Sequence, residues 1–377
     1  MSDEDVIIER MILLTRNAIQ GCFQNSIGAR QRQELLLNPH IGTPWQTLWA
    51  SQEDRAFITT MGLDVVTFYR ILEGPRGFEE WWESTPIPRN DVSCSGDPRG
   101  YRQSLDAAGG LGLILHYLGS AMLEVTLQQV FALTPTVLSR YLEFAEDILY
   151  NTLHSLEEGS ISMPHTAQEF QHFSNLICMR HPLLEGAFGS IDGLSLLAQE
   201  SDDPEIENAT YNGWKTAHCI NNVLVFSPEG VIISAVINAP GSWHDAHVAC
   251  PIFEQLRSHV PDGHFLGERI LAEYAAQQLT LAVNRQLLSY RQTAKWGIRM
   301  IQGSFGHLRV PLKISSPKRR QRLLEIIIRL ANIQTVYMPI WKAAEDEQLW
   351  LDLGDMMFGD IWRRDCVSRF HLVVEDQ

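Results

Sequence analysis

Three stretches decide the fold: AFGSIDGLSLL at 187–197, HCINNVLVFS at 218–227 and VIISAVIN at 231–238. Each is short and rich in Ile, Val, Leu and Phe, which reads as a strand, and Pro228-Glu229-Gly230 makes a tight turn that sets the last two antiparallel. Beyond them the period becomes helical over 242–260, Phe265 and Leu266 mark a short strand, and 271–301 reads as one or two helices. Strand, strand, strand, helix, short strand, helices is the order of an α/β RNase H-like core, an order that other α/β folds share.

On the amino-terminal side, 84–102 is dense in Pro, Ser, Gly and Asp and forms a joint, with a second break between 151 and 182. Between the joints, 111–118, 123–131 and 135–153 carry apolar residues at three- and four-residue spacing. The third of these helices starts with Thr134 as N-cap and Pro135 at its first position. Such a trio suits a helix-turn-helix, and equally a small bundle that only packs. Its third helix is expected to expose Ser139, Arg140, Glu143, Glu146 and Asp147, an acidic face that speaks against DNA. The predicted organisation is a helical segment at 1–100, a trihelical region at 101–160, the α/β core at 182–335 and an acidic extension at 336–377.

With 377 residues the chain is long enough for two or three domains. Its 45% hydrophobic and 20% charged residues are those of a globular protein. A net charge of −15 argues against coating nucleic acid through overall charge, so any such contact is local. The six cysteines include no C-x-x-C pair and read as reduced thiols. MSDEDVIIER lacks the basic start of a secretory signal, and the most apolar run, 109–123, is too short for a membrane span. No membrane partner is expected.

Asp192 places a carboxylate inside an apolar strand, where it needs a cation or hydrogen-bond donors, or else it serves the turn at Gly193. Lys215 and His218 open the second strand, while His244 and Asp245 follow the third. Asp245 stands three residues after Ser242, the spacing of a capping box, and His244 by itself reads as a packed or solvent-facing imidazole. Strand ends and helix starts meeting at one sheet edge make a pocket.

GSIDG, Y-x-G-W-K-x-x-H-x-x-N, F-S-P-E-G and N-x-P-G-S-W-H-D, in this order from about 188 to 332, resemble the DDE superfamily endonuclease domain of Harbinger-type transposases and the nuclear proteins derived from them. The resemblance implies an RNase H-like nuclease core behind a helix-turn-helix. In such a core, acids hold two Mg²⁺ or Mn²⁺ ions that activate a water or 3′-hydroxyl against a phosphodiester. Carried over, the catalytic acids are Asp192 and Glu268 and the metal ligands Asp192, Asp245 and Glu268. Two departures stand out: F-L-G-E-R puts Glu268 and Arg269 where the family has Asp and a small residue, and R-Q-T-A-K-W-G puts Lys295 in place of the last Glu. A protonated lysine cannot ligate a metal. No Asp or Glu lies between 275 and 324, and Glu273 substitutes only by re-registering the helix.

The same acid-free stretch is basic. Arg291, Lys295, Arg299, Arg309, Lys313, Lys318, Arg319 and Arg320 are candidate nucleic-acid contacts, and PKRRQR at 317–322 reads alternatively as a nuclear import signal or a solvated helix start. Three functions follow as expectations: a transposase-derived protein with degenerate or lost nuclease activity, an active Mg/Mn-dependent endonuclease, or a nuclear DNA- or protein-interaction factor. DNA and a protein partner that supplies DNA specificity are the expected partners, and the nucleus the expected compartment.

Overall fold

A computed structural model describes residues 41–87, 103–267 and 277–337. The segment 1–40, most of the joint at 84–102, Glu268, Arg269 and Glu273, and the acidic extension from 338 onward lie outside the described residues.

Four short helices come first: α1 (Pro44–Ser51), α2 (Asp54–Met61), α3 (Val65–Glu73) and α4 (Phe78–Ser84). Thr43 and Gln46 form a capping box on α1, and Asp64 caps α3 by accepting from Thr67 N at 2.7 Å. The predicted trio follows as α5 (Ala107–Gly119), α6 (Glu124–Phe131) and α7 (Pro135–Ser155), with Thr134 and Pro135 at the start of α7 as expected. α5 explains its own odd sequence. AAGGLGLILHYLG is buried on nearly every side, and a Cβ at Gly110 or Gly112 would collide with the rings of Trp82 and Trp45. Each helical glycine costs about 1 kcal/mol against alanine, which close packing of two indoles offsets.

Next come α8 (Ala167–Cys178), β1 (Ala187–Leu197), α9 (Pro204–Thr210), β2 (Tyr211–Asn212), β3 (Ala217–Phe226) and β4 (Ile232–Pro240). The chain continues through α10 (Asp245–Val248), α11 (Cys250–His259), β5 (Phe265–Gly267), α12 (Gln277–Ser304) and α13 (Pro317–Tyr337). β3 pairs antiparallel with β1 on one side and with β4 on the other, β5 lies parallel to β1, and β2 pairs with the start of β3. This mixed sheet has the strand arrangement of an α/β nuclease core. The expected helix over 242–260 is two helices, α10 and α11, separated at Ala249. α8 fills the expected break between 151 and 182, and α9 and β2 lie between predicted strands; both are polar and short, so their hydrophobic period is weak.

From residue 191 onward β1 alternates cleanly. Leu194 and Leu196 join Ile220 and Leu224 in the core beneath α12 and α13, whereas Ile191 joins Val223 and Val225 in a second core with Phe170, Val248 and Ile252. The first core also takes in Trp45, Phe68, Leu111 and Leu149, so it runs without a break from the helical region into the sheet. α13 makes the bridge. Asn332, fully buried, accepts from Ile232 N at 2.7 Å and donates to the carbonyls of Ile232 and Ser160 at 2.9 and 2.8 Å. Glu146, expected on an acidic surface, is 2% exposed and pairs with Arg319 at 3.0 Å, and Asp147 pairs with Arg322. The helical period placed Glu146 on the outer face of α7, but α13 covers that face.

One imidazole is sealed in the first core and another is partly buried beside it. His116 bonds to Gly112 O at 3.0 Å and stands edge-on to Trp45 and Phe131, and His307 lies tilted against Tyr117, ring centroids 4.2 Å apart. Burial pushes both down to about 4. The unfolded chain therefore binds protons that the folded chain refuses. Stability is expected to be lost as pH falls from about 6.5 to about 4, by up to about 3 kcal/mol per histidine. Urea midpoints measured across that window check this, with His116→Gln giving the shallower dependence.

Candidate functional site

Asp192 lies on the face of β1 that α12 covers. Ser190, two residues earlier on the same face, meets Thr293 of α12 hydroxyl to hydroxyl at 3.0 Å, and Tyr290 is buried beside them, its phenol raised by burial. This fixes the helix against the strand. Arg291 then stands over Asp192, Nη2 to Oδ1 at 3.8 Å, both side chains about a quarter exposed, and the Arg291 Nε is buried without a protein partner. Lys295, one turn further on, is exposed. The cation paired with Asp192 is thus Arg291, whereas sequence reading had marked Lys295, on the same helix, as the residue in place of the last family acid.

Asp245 does not share this face. A Cβ on Gly193 would collide with the Asp245 carboxylate, so that carboxylate lies on the Gly193 side of β1, and successive residues of a strand point to opposite sides. Asp192 and Asp245 are separated by the sheet itself. The expected capping box is also replaced: Ser242 N donates to Ala209 O, and His244 is the N-cap of α10, its Nδ1 accepting from Ala246 N at 3.3 Å. Asp245 is the first residue of the helix. Among the described residues no three His, Cys, Asp or Glu side chains converge on a point, and Glu268 lies outside them. The described donor set does not fit a pair of divalent ions: one carboxylate faces a guanidinium, and the other lies across the sheet.

The remaining candidates divide by use. His218 pairs with Glu207 at 2.9 Å and with Thr210 Oγ1 at 3.1 Å, which accounts for it structurally. Lys215 is exposed. Lys295, Arg299, Lys313 and Lys318 are exposed on the surface, and Arg309 donates to Gln302 O. Arg320 is buried and donates to Asn238 Oδ1 at 2.6 Å and to the carbonyls of Lys313 and Ile314, and burial lowers its pKa. With Arg319 and Arg322 held by Glu146 and Asp147, the second half of the basic run serves the fold. A cavity of about 320 Å³ between the segment 161–165, β4 and α11 holds His165, His259 and Gln255 and lies away from Asp192.

Sequence reading missed a feature made of the same motifs. Asn212 Nδ2 donates to Gly241 O at 2.8 Å, and buried Asn221 donates to Gly241 O and Trp243 O at 3.2 and 2.8 Å while accepting from Ser195 at 2.7 Å. Asn212 thus ties the β2–β3 turn to the turn after β4, and Asn221 ties the middle of β3 to that same turn. Both turns carry a tryptophan, and the signal for it was the pair of Trp residues inside the quoted motifs.

Residues 191–332 match the family model described as DDE superfamily endonuclease. No curated protein and no solved structure matches the chain. Together with the mixed sheet, the match supports a transposase-derived, endonuclease-like domain. Among the described residues no helix is long and apolar enough to cross a membrane.

Asn221→Ala is expected to leave Trp243 O and Ser195 without this partner, and Gly241 O with Asn212 alone, at a cost of about 1 to 3 kcal/mol. Hydrogen exchange checks this through faster exchange in 240–244, with the sheet centre unchanged.

Proposed function

We propose that the protein is a Harbinger-type, transposase-derived nuclear protein that engages DNA without cutting it. The observation that carries this reading is the Arg291 guanidinium 3.8 Å from Asp192. A cation of the protein's own stands beside the first family acid, and a guanidinium stays protonated at any working pH. Exposed Lys295 and Arg299 follow Arg291 at four-residue steps along α12, so the three share one helix face. Such a ridge supports contact with successive phosphates. A separate protein partner supplying sequence specificity completes this reading.

The test pairs a Mn²⁺ calorimetric titration with a nuclease assay and salt-dependent DNA binding, on wild type, Asp192→Asn and Lys295→Glu/Arg299→Glu. Wild type is expected to bind duplex DNA with an affinity that falls steeply with salt, to leave it uncut in Mn²⁺ and to show no Mn²⁺ binding that depends on Asp192. The double charge reversal is expected to lower the slope of log K against log salt by about two. Mn²⁺-dependent cleavage that disappears in Asp192→Asn would instead establish a working endonuclease, with Glu268 as its next acid.

A further inference from the structure

The ridge on α12 is longer than its three cations, and the chain leaves the described residues beside it. Leu288, Arg291, Lys295 and Arg299 follow one another at three- and four-residue steps, so they form one stripe of the helix. Leu288 opens the stripe and is 58% exposed. Asp192, beside the head of the stripe, is matched by Arg291, whereas among the described residues Lys295 and Arg299 have neither an ion pair nor a hydrogen bond. Gly62 locates the exit of the chain. Gln334 Nε2, near the end of α13, donates to Gly62 O at 2.8 Å, and a Cβ on the same glycine would lie 3.9 Å from Ser304 O at the end of α12. The carboxyl ends of α12 and α13 therefore meet at one residue. Tyr337, where α13 ends, stands about one turn beyond Gln334, and Arg299 lies between one and two turns before Ser304.

We propose that residues 345–360 of this chain, EDEQLWLDLGDMMFGD, dock on the α12 ridge, so that DNA must displace them to reach it. Place, charge and apolar character select this occupant together. The segment carries Glu345, Asp346, Glu347, Asp352, Asp355 and Asp360 and no Lys or Arg, and no Asp or Glu lies between 275 and 324 on the ridge side. Acids alternate here with Leu, Trp, Met and Phe, the composition of an interaction segment, and these side chains offer exposed Leu288 an apolar partner. Reach is sufficient. The seven residues between Tyr337 and Glu345 span up to about 23 Å when extended, and about 20 Å of helix axis separates Ser304 from Arg291. A tethered segment competes at an effective concentration of about a millimolar, so a contact with a dissociation constant of about 100 μM lowers the affinity for DNA about tenfold. The docking is a contact of the chain with itself, and only its effect on DNA rests on the reading of the ridge as a phosphate surface.

The test uses the full chain in three forms: wild type, a form with the six acids of 345–360 changed to their amides, and a control of equal net charge. In the control, exposed Glu73, Glu79, Glu80, Glu83, Asp202 and Glu205 are changed to their amides instead. The first readout is independent of DNA. A carbodiimide joins a lysine amine to a carboxylate that it touches, and mass spectrometry of the monomeric product identifies the links, with exposed Lys215 as the reference amine. Wild type and the control are expected to link Lys295 to acids within 345–360 about tenfold more than Lys215. The second readout is the affinity for duplex DNA. The 345–360 form is expected to bind about tenfold more tightly than the control, and to lose that gain when Lys295→Glu/Arg299→Glu is added. Links shared evenly between Lys215 and Lys295, links from Lys295 to acids outside 345–360, or links found only in a covalent dimer overturn the inference and leave the DNA reading standing. Equal, measurable duplex affinity in the two neutralised forms overturns it as well. Links between Lys295 and 345–360 in a chain that binds no duplex in any form support the docking and remove the DNA reading.

Discussion

The burial of α13 against both the helical region and the sheet is the interaction on which the rest depends. Its inner face carries Ile326, Ile327, Leu330, Ala331 and Ile333, all within one core with Leu111, Leu149, Leu194 and Leu224. Hydrophobic contact alone leaves the register of a helix loose, and polar anchors set it here. Asn332 satisfies both backbone groups of Ile232 at the start of β4, and Arg320 satisfies Asn238 and two carbonyls near the other end of that strand. The helix is thereby measured against β4 at two points. Glu146 and Asp147 of α7 then pair with Arg319 and Arg322, and the helical region is docked by the same helix that holds the sheet edge.

That arrangement explains how a basic run can be misread. PKRRQR is hydrophilic in sequence, and free cations belong in water or on phosphates. All three of its arginines have partners inside the protein: Arg319 and Arg322 pair with acids on α7, more than 170 positions away, and Arg320 bonds to Asn238 and two carbonyls. No sequence window contains both partners. The strands, by contrast, were legible because their signal is local: β1 spans the predicted 187–197, and β3 and β4 differ from prediction by one or two residues at their ends. Helical periods placed α5, α6 and α7 for the same reason.

The candidate site was legible in its residues and illegible in its geometry. Asp192 and Asp245 were paired by the family resemblance, but strand parity decides whether two acids meet, and parity here put Gly193 toward Asp245. The family pattern directed attention to Lys295, although the helix phase set by the Ser190–Thr293 contact puts Arg291 over Asp192. Asn212 and Asn221 were part of quoted motifs without any role, since a side-chain amide that ties a distant turn is recognisable only when both ends are in place.

The electrostatics of the Asp192 face follow from these placements. Unit charges about 4 Å apart interact by about 1 kcal/mol in water and about 4 kcal/mol at an effective dielectric near 20, and a site a quarter exposed lies between those limits. Arg291 is drawn to the carboxylate by that much, and imposes a comparable penalty, per unit charge, on any other cation that approaches it. A divalent ion meets the penalty twice over and finds no second described carboxylate on the same face to offset it. The ridge of Arg291, Lys295 and Arg299 has the opposite effect on phosphate, which gains from each cation in turn. On this face helix phase alone sets a guanidinium over the first acid, which is the basis of the proposed contact with a polyanion, while the strands that carry it keep the arrangement of an α/β nuclease core.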